Sequence, residues 1–204
     1  VPVADPAGSI AAGVGSVWVA SDVSGVVSRL DPDTREVVAE VFVGREPAGV
    51  VFAEDALWIT SAAASTVTRV EPHTNTVVET VPTGPRPGRV VVGDGAVWTL
   101  NRGDPSVTRI DPKTNKAVTT IAVGHDVGAG DIAAGAGAVW LSAPGSPLVR
   151  IDPATNRVVL LFPQIDNAAV GEPFARGVAA SPGAAVGRAV FDSKRAAVRA
   201  ASSS

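Results

Sequence analysis

Short runs of β-branched and apolar residues alternate with clusters of Gly, Pro, Asp and Asn along most of the chain. Four such runs follow one another closely at Gly49–Ala53, Ala56–Thr60, Thr66–Val70 and Thr76–Val81. Runs of this length and composition predict β-strands. Between the third and the fourth run, Glu71–Asn75 predicts a turn, because Pro favours the second turn position and the polar residues around it can bond the turn backbone.

This pattern repeats along the chain with a period of about 40 residues, within the range of known repeat families. The four tryptophans lie at nearly constant spacing, at Trp18, Trp58, Trp98 and Trp140. An arginine follows each tryptophan at nearly the same separation, at Arg29, Arg69, Arg109 and Arg150. A proline lies shortly after each arginine, at Pro32, Pro72, Pro112 and Pro153. Repetition in four copies indicates a repeat architecture.

Four short antiparallel strands in about 40 residues are typical of one β-propeller blade. Helical repeats of similar length would need apolar stripes with the period of an α-helix, and these runs show none. The sequence therefore predicts an all-β fold, a partial β-propeller of about four four-stranded blades over residues 1–159 with the last blade incomplete. Residues 160–204 are predicted to form a short irregular or strand-turn-helix tail.

The repeated residues are expected to serve the architecture rather than chemistry. One tryptophan on the second strand of each blade would pack between adjacent blades. The repeated arginine is expected to be a solvated or ion-paired blade residue, since a catalytic group need not recur in every unit. Residues with a specific function are therefore expected at positions that differ between the copies.

Composition and charge narrow the possible function classes. The chain has 204 residues, of which 46% are hydrophobic, and a net charge of -3, which gives no electrostatic reason to expect binding to nucleic acid. The absence of Cys excludes thiol chemistry, and two His cannot make a His-rich metal site, so neither metal nor cofactor is expected. No apolar stretch approaches the ~20 residues that span a bilayer, so membrane insertion is not expected. The chain begins at Val1 without Met, as a processed or cut chain would.

In a propeller, the loops between strands two and three and the connections from strand four to the next strand one emerge on the same face. These loops carry polar residues that differ between the copies. The candidate ligand-binding residues are Arg45, Arg86, Arg89, Arg102, His125, Asp126 and Asp131. They predict a mixed polar site for an unknown small molecule or protein. No catalytic motif such as a Ser/His/Asp set or a phosphate-binding Gly loop occurs, so no catalytic residue is predicted.

The units, with Gly95–Trp98, Val107–Pro112 and Val123–Gly124, resemble the YVTN-type propellers and the streptogramin (virginiamycin B) lyase-like repeats over about residues 10–159. The resemblance implies a secreted or cell-surface bacterial protein. In the lyase, histidines and a glutamate around a magnesium ion perform an elimination. Neither His73 nor His125 lies in a matching motif, so no catalytic residue is carried over.

Residues 160–204 contain a second resemblance to a known family. The segment Phe174–Asp192 resembles the entry to the swivelling phosphohistidine domain of pyruvate phosphate dikinase, which implies a cytoplasmic protein. The phosphorylated-histidine motif of that family has no counterpart here. The alternative is an ordinary Ser-Pro-Gly turn in an Ala/Gly-rich tail. Charge also shifts, from 12 basic and 17 acidic residues in 1–159 to 5 and 3 in 160–204.

Together these observations predict a non-catalytic propeller binding or interaction module, a fragment or fusion that can self-associate through open blade edges. A fragment of a dikinase-like phosphotransferase and a lyase-like elimination enzyme are the alternatives. A role without catalysis is favoured for this chain, because the catalytic motifs of both families are missing.

Overall fold

Sixteen β-strands, arranged as four antiparallel sheets, make up the regular structure of the described residues. The computed structural model describes residues 6–21, 24–128 and 130–162. Blade one contains β1 (Pro6–Gly13), β2 (Ser16–Ser21), β3 (Val26–Leu30) and β4 (Val37–Phe42). Blade two contains β5 (Pro47–Ala53), β6 (Ala56–Ser61), β7 (Thr66–Glu71) and β8 (Thr76–Pro82). Blade three contains β9 (Pro87–Gly93), β10 (Ala96–Asn101), β11 (Ser106–Asp111) and β12 (Lys116–Ala122). Blade four contains β13 (Asp131–Gly135), β14 (Ala138–Ser142), β15 (Leu148–Asp152) and β16 (Arg157–Phe162).

Each sheet follows the order of its strands in the chain, so every blade is a four-stranded meander. The all-β propeller prediction is confirmed, and the four strands predicted between residues 49 and 81 correspond to β5 to β8. Blade four differs from the prediction, because β16 supplies its fourth strand and runs to Phe162, beyond the predicted boundary at 159. The dikinase-like segment Phe174–Asp192 lies outside the described residues.

The register of the strands repeats with the sequence. In each blade the tryptophan on the second strand lies directly across from the arginine on the third strand. The first strands of adjacent blades contact one another in chain order, so β1, β5, β9 and β13 form the inner layer. The fourth strands form the outer edge, where alternate valines such as Val38, Val78 and Val118 are about half exposed.

The core lies between the sheets rather than within any one of them. Trp18 packs with Val50, Leu57 and Ile59 of blade two, and Trp98 packs with the apolar residues of blade four. Trp58 does the same between blades two and three. These three tryptophans have no exposed surface. Truncating a side chain buried to this extent typically costs about 3–5 kcal/mol, so the tryptophans account for much of the cohesion between blades.

The repeated arginines join adjacent blades. The guanidinium of Arg69 lies 5.3 Å from the ring centre of Trp58, and its Nη1 donates hydrogen bonds to Pro112 O at 3.1 Å and Asn115 Oδ1 at 2.7 Å. We call this arrangement the clasp: an arginine stacked on its own blade's tryptophan and bonded to the turn between the third and fourth strands of the next blade. The expectation of a solvated or ion-paired arginine is corrected by these contacts.

The clasp recurs at the other two interfaces between blades. Arg29 donates to Pro72 O at 2.8 Å and Asn75 Oδ1 at 3.1 Å. Arg109 donates to Pro153 O at 2.7 Å and to Asn156 Oδ1 at 2.7 Å. Each clasp couples an aromatic stack to two charge-assisted hydrogen bonds, which fixes the angle at which the next sheet is held.

The apolar side chains of the first and fourth blades are more exposed than those of the two central blades. Ile10 on β1 is 65% exposed, whereas its counterpart Val50 on β5 is 8% exposed. Trp140 on β14 is only partly buried. Among the described residues, the first and fourth blades make no contact comparable to those between consecutive blades.

Candidate functional site

Seven connections emerge on one face of the blades, which we call the loop face. They are the connections between blades, described over 43–46, 83–86 and 123–128, and the loops between second and third strands, described over 24–25, 62–65, 102–105 and 143–147. The opposite face carries the tight hairpins between first and second strands and the Asp-Pro turns. His73 lies in the equivalent turn of blade two, Glu71–Asn75, away from the loop face.

Hydrogen bonds tie the two sets of loops together. Glu46 O accepts a bond from Ala62 N at 2.9 Å, and Arg86 O accepts a bond from Arg102 N at 2.9 Å. In blade four, the hydroxyl of Ser146 donates to Asp126 O at 2.8 Å. Every connection between blades is therefore fixed against the adjacent loop of the blade that it enters, so the loop face has a defined backbone.

Three of the predicted site arginines lie at or beside the start of β9. Arg86 directly precedes the strand, and Arg89 lies on it with an exposed side chain. Arg102 reaches the same place from the β10–β11 loop and lies across Gly88. A Cβ atom added at Gly88 would collide with Arg102 Nε, so the glycine makes the space in which the guanidinium lies. The mixed polar ligand site at this face remains a prediction.

Two acidic residues accompany this arginine group. Arg86 Nη2 lies 3.8 Å from Glu46 Oε2, and Arg89 Nε lies 3.7 Å from Asp131 Oδ1. All four side chains are about half exposed or more, so each pair contributes little to stability. Within the part of the chain that the structure describes, Arg102 has no acidic partner. The three arginines and these two acids leave one formal positive charge, which Asp104, exposed on the same loop as Arg102, balances.

The other predicted residues lie on the loop face but outside this group. Arg45 is exposed on the β4–β5 connection, and its carbonyl accepts the Ser61 hydroxyl at 2.6 Å. His125 is half-buried on the β12–β13 connection. Its neighbour Asp126 accepts a bond from Gly128 N at 2.9 Å, as an ordinary turn carboxylate does. The structure gives these three residues no contact with the arginines at β9.

Glu46 is not among the predicted site residues. Glu46 and Arg86 occupy the same position in successive connections, one repeat apart, and each precedes a proline. Both have left-handed backbone, with φ of 54° and 52°. Such a conformation costs an ordinary residue about 1–2 kcal/mol and is concentrated at functional sites. The repeat spacing of two opposite charges in variable loops is the signal that would have found Glu46.

A small cavity of about 120 Å³ lies beside Trp140 on blade four, and its lining includes Asp131, the partner of Arg89. Its volume is below the roughly 300–1,000 Å³ of typical small-molecule sites. Across the described ranges, no three His, Asp or Glu side chains lie close enough to hold a metal ion together. The described part of the chain also contains no helix with the length and apolar character to cross a membrane.

Comparison with known proteins shows the fold. No protein-family model and no curated protein matches the sequence. Among solved structures, the chain is similar to hydrazine synthase of Kuenenia stuttgartiensis, with 17% identity and a TM-score of 0.70 over 79% of this chain and 50% of that chain. It also matches glutaminyl cyclase of Myxococcus xanthus, with 15% identity and a TM-score of 0.47 over 66% of each chain.

This chain thus spans half the length of the hydrazine synthase chain that it matches. At 17% identity the likeness establishes the β-propeller fold and nothing about activity. The resemblances to YVTN-type propellers, streptogramin lyases and the dikinase remain predictions.

Proposed function

We propose that the chain is a non-catalytic β-propeller interaction module that binds an acidic segment of a partner protein through its loop face. The observation that carries this proposal is the placement of three exposed arginines, Arg86, Arg89 and Arg102, at or beside the start of β9, where Arg102 has no acidic partner among the described residues. An exposed guanidinium fork is suited to a partner carboxylate, which it can bind through two parallel hydrogen bonds.

The form of the surface favours a polypeptide over a small molecule. The arginines and Arg45 are exposed on a loop surface, and the cavity near blade four is too small for a typical small ligand. The residues shared by all repeats are engaged in the tryptophan cores and clasps, which leaves the variable loops for recognition. Secretion or cell-surface display would suit such a module and follows from the YVTN resemblance alone.

The test is an NMR titration of the full chain with a hexaglutamate peptide at low salt. We expect shifts of the backbone amides in 43–46, 83–86 and 102–105. These shifts should be lost in the double variant Arg89→Ala/Arg102→Ala. The matched control is Lys113→Ala/Lys116→Ala, which removes two exposed charges from the opposite face and should leave the shifts unchanged.

Citrate is titrated in parallel to separate a polypeptide from a small anion. Equal shifts at equal citrate concentration would overturn the polypeptide assignment. Shifts at the Asp-Pro turns, shifts that survive the Arg89→Ala/Arg102→Ala change, or no shifts with either probe would overturn the loop-face proposal as a whole.

A further inference from the structure

The clasp has a donor half and an acceptor half, and the four blades do not all carry both. The donor half is the arginine stacked on its tryptophan. The acceptor half is the proline carbonyl and the asparagine of the Asp-Pro turn, as in Pro112 and Asn115. In blades two, three and four the asparagines Asn75, Asn115 and Asn156 each accept a bond from the preceding blade.

Blade one has the same turn with a different side chain. Arg35 occupies the asparagine position with φ of 63°, close to the 55° of Asn115. Its N donates to Asp31 O at 2.9 Å, as Asn115 N donates to Asp111 O at 2.9 Å. The backbone of an acceptor is therefore present, but a guanidinium replaces the amide oxygen. Among the described residues, none bonds to the carbonyl of Pro32.

Above this turn, blade one presents the apolar surface that the other blades use to receive a neighbour. We call it the receiving face, formed in blade one by Ile10, Val17, Val19 and Leu30. Ile10 is 65% exposed, while the residues in its position on the other blades are 5–8% exposed at Val50, Val90 and Ile132. Val17, Val19 and Leu30 are partly exposed, although their counterparts Leu57, Ile59 and Val70 are completely buried.

Blade four supplies the donor half. Arg150 lies across from Trp140 in the register of the other three pairs, with its guanidinium 5.9 Å from the ring centre. Arg29, Arg69 and Arg109 lie 5.2–5.3 Å from theirs and each bonds to the following turn. The structure gives the Arg150 guanidinium no such turn among the described residues.

We propose that the receiving face of blade one binds blade four of a second copy of this chain, head to tail, and that Arg35 limits the strength of this contact. Three interfaces within the chain show that these surfaces fit each other. The remaining difference is Arg35, which would bring one cation against the Arg150 guanidinium of the second copy and remove one hydrogen-bond acceptor. The contact joins two different surfaces, so it extends in one direction.

Sedimentation velocity of the full chain over a range of concentrations tests this proposal. Arg35→Asn restores the residue used by the other three turns and should strengthen association roughly ten- to a hundredfold, the effect of one hydrogen bond to a charged group. Arg35→Ala removes the repulsion without adding an acceptor. Its association should be stronger than that of the wild type and weaker than that of Arg35→Asn. Beside Arg35→Asn, Arg150→Ala should remove the donor of the restored hydrogen bond and abolish the gain.

Ile10→Glu is a second probe of the same face. The side chain is already exposed, so the variant should fold, yet a carboxylate on the receiving face should prevent association even beside Arg35→Asn. A chain that stays monomeric with Arg35→Asn, or an association that neither Arg150→Ala nor Ile10→Glu weakens, would overturn the proposal. A higher melting temperature of Arg35→Asn at constant monomeric mass would show closure within one chain and would overturn the assignment to a second copy.

Discussion

At the scale of single residues, the role of the repeated arginine becomes clear only when two successive repeats are considered together. The sequence places Arg69 one strand from Trp58, but its hydrogen-bond acceptors lie in the next repeat, and one of them is a backbone carbonyl. A sequence pattern does not display backbone acceptors. The repeated asparagine, at Asn75, Asn115 and Asn156, was the visible half of the same contact.

Removal of one clasp should loosen one interface. We expect Arg69→Ala to lower the free energy of unfolding by about 2–4 kcal/mol, since it removes two charge-assisted hydrogen bonds and a cation–π contact. Arg69→Lys should recover only part of the loss, because an ammonium cannot stack as a plane. Urea unfolding followed by tryptophan fluorescence measures both values.

Lys113→Ala serves as the control for this comparison, because Lys113 is exposed and makes no clasp. Its effect should stay within about 0.5 kcal/mol. Equal midpoints for Arg69→Ala and Lys113→Ala would show that the clasp contributes nothing to stability.

At the scale of elements, the Asp-Pro turn has two structural roles. Its proline carbonyl and asparagine receive the clasp, and its acid holds the turn closed. Asp111 Oδ1 accepts a bond from Lys113 N at 2.8 Å, and Asp152 Oδ1 accepts one from Ala154 N at 2.8 Å. These backbone bonds lower the pKa of both carboxyl groups below the ordinary value of 3.8, with a smaller contribution from the threonine hydroxyls.

The lowered pKa predicts how stability depends on pH. A carboxyl whose pKa is lower in the folded chain stabilises the fold fully above its ordinary pKa of 3.8, and loses that effect as the pH falls through the lowered value. We therefore expect Asp111→Asn/Asp152→Asn to melt at a lower temperature than the wild type at about pH 7, and the difference to shrink toward zero near pH 2. Differential scanning calorimetry across this range measures it.

Asp33→Asn changes the same charge in the first turn, where Asp33 is exposed and is not the acid that closes the turn. Its melting temperature should stay close to that of the wild type at every pH of the series. A gap between wild type and the double variant that stays the same at every pH would contradict the role given to the carboxylates.

The elements themselves were accessible to sequence reasoning, because β-branched runs and Pro turns are local signals. The predicted strand Ala56–Thr60 differs from β6 only at its last residue, and the blade count follows from the tryptophans. The arrangement of the arginine group was not accessible. Arg102 lies beyond a complete intervening strand from Gly88, and their contact depends on how one loop folds back over an inner strand.

At the scale of the whole described unit, stability is expected to accumulate from interfaces between neighbouring blades. Each central blade has a neighbour on both sides, and every residue of β6 and β10 is buried. On β14 the tryptophan position is only partly buried, and Ser142 is exposed. The structure therefore predicts a gradient of local stability from the centre of the array toward blades one and four.

Amide hydrogen exchange should reveal that gradient. We expect amides of β6 and β10 to exchange at least roughly tenfold more slowly than the hydrogen-bonded amides of β14, because opening an end blade disrupts one interface while opening a central blade disrupts two. Exchange at a single dilute concentration, followed by NMR, provides the measurement. Uniform protection across the four blades would instead indicate that the array opens as one cooperative unit.

The clasp also determines how such a chain can lengthen by gene duplication. The donor and the acceptor of one repeat bond to different neighbouring blades. In blade two, Arg69 donates to blade three, while Asn75 accepts from blade one. A tandem copy inserted in phase therefore brings one new donor and one new acceptor, and every junction is satisfied wherever the breakpoint falls. Arrays of different length can thus arise without compensating mutations, while a copy inserted out of phase leaves an arginine without its turn.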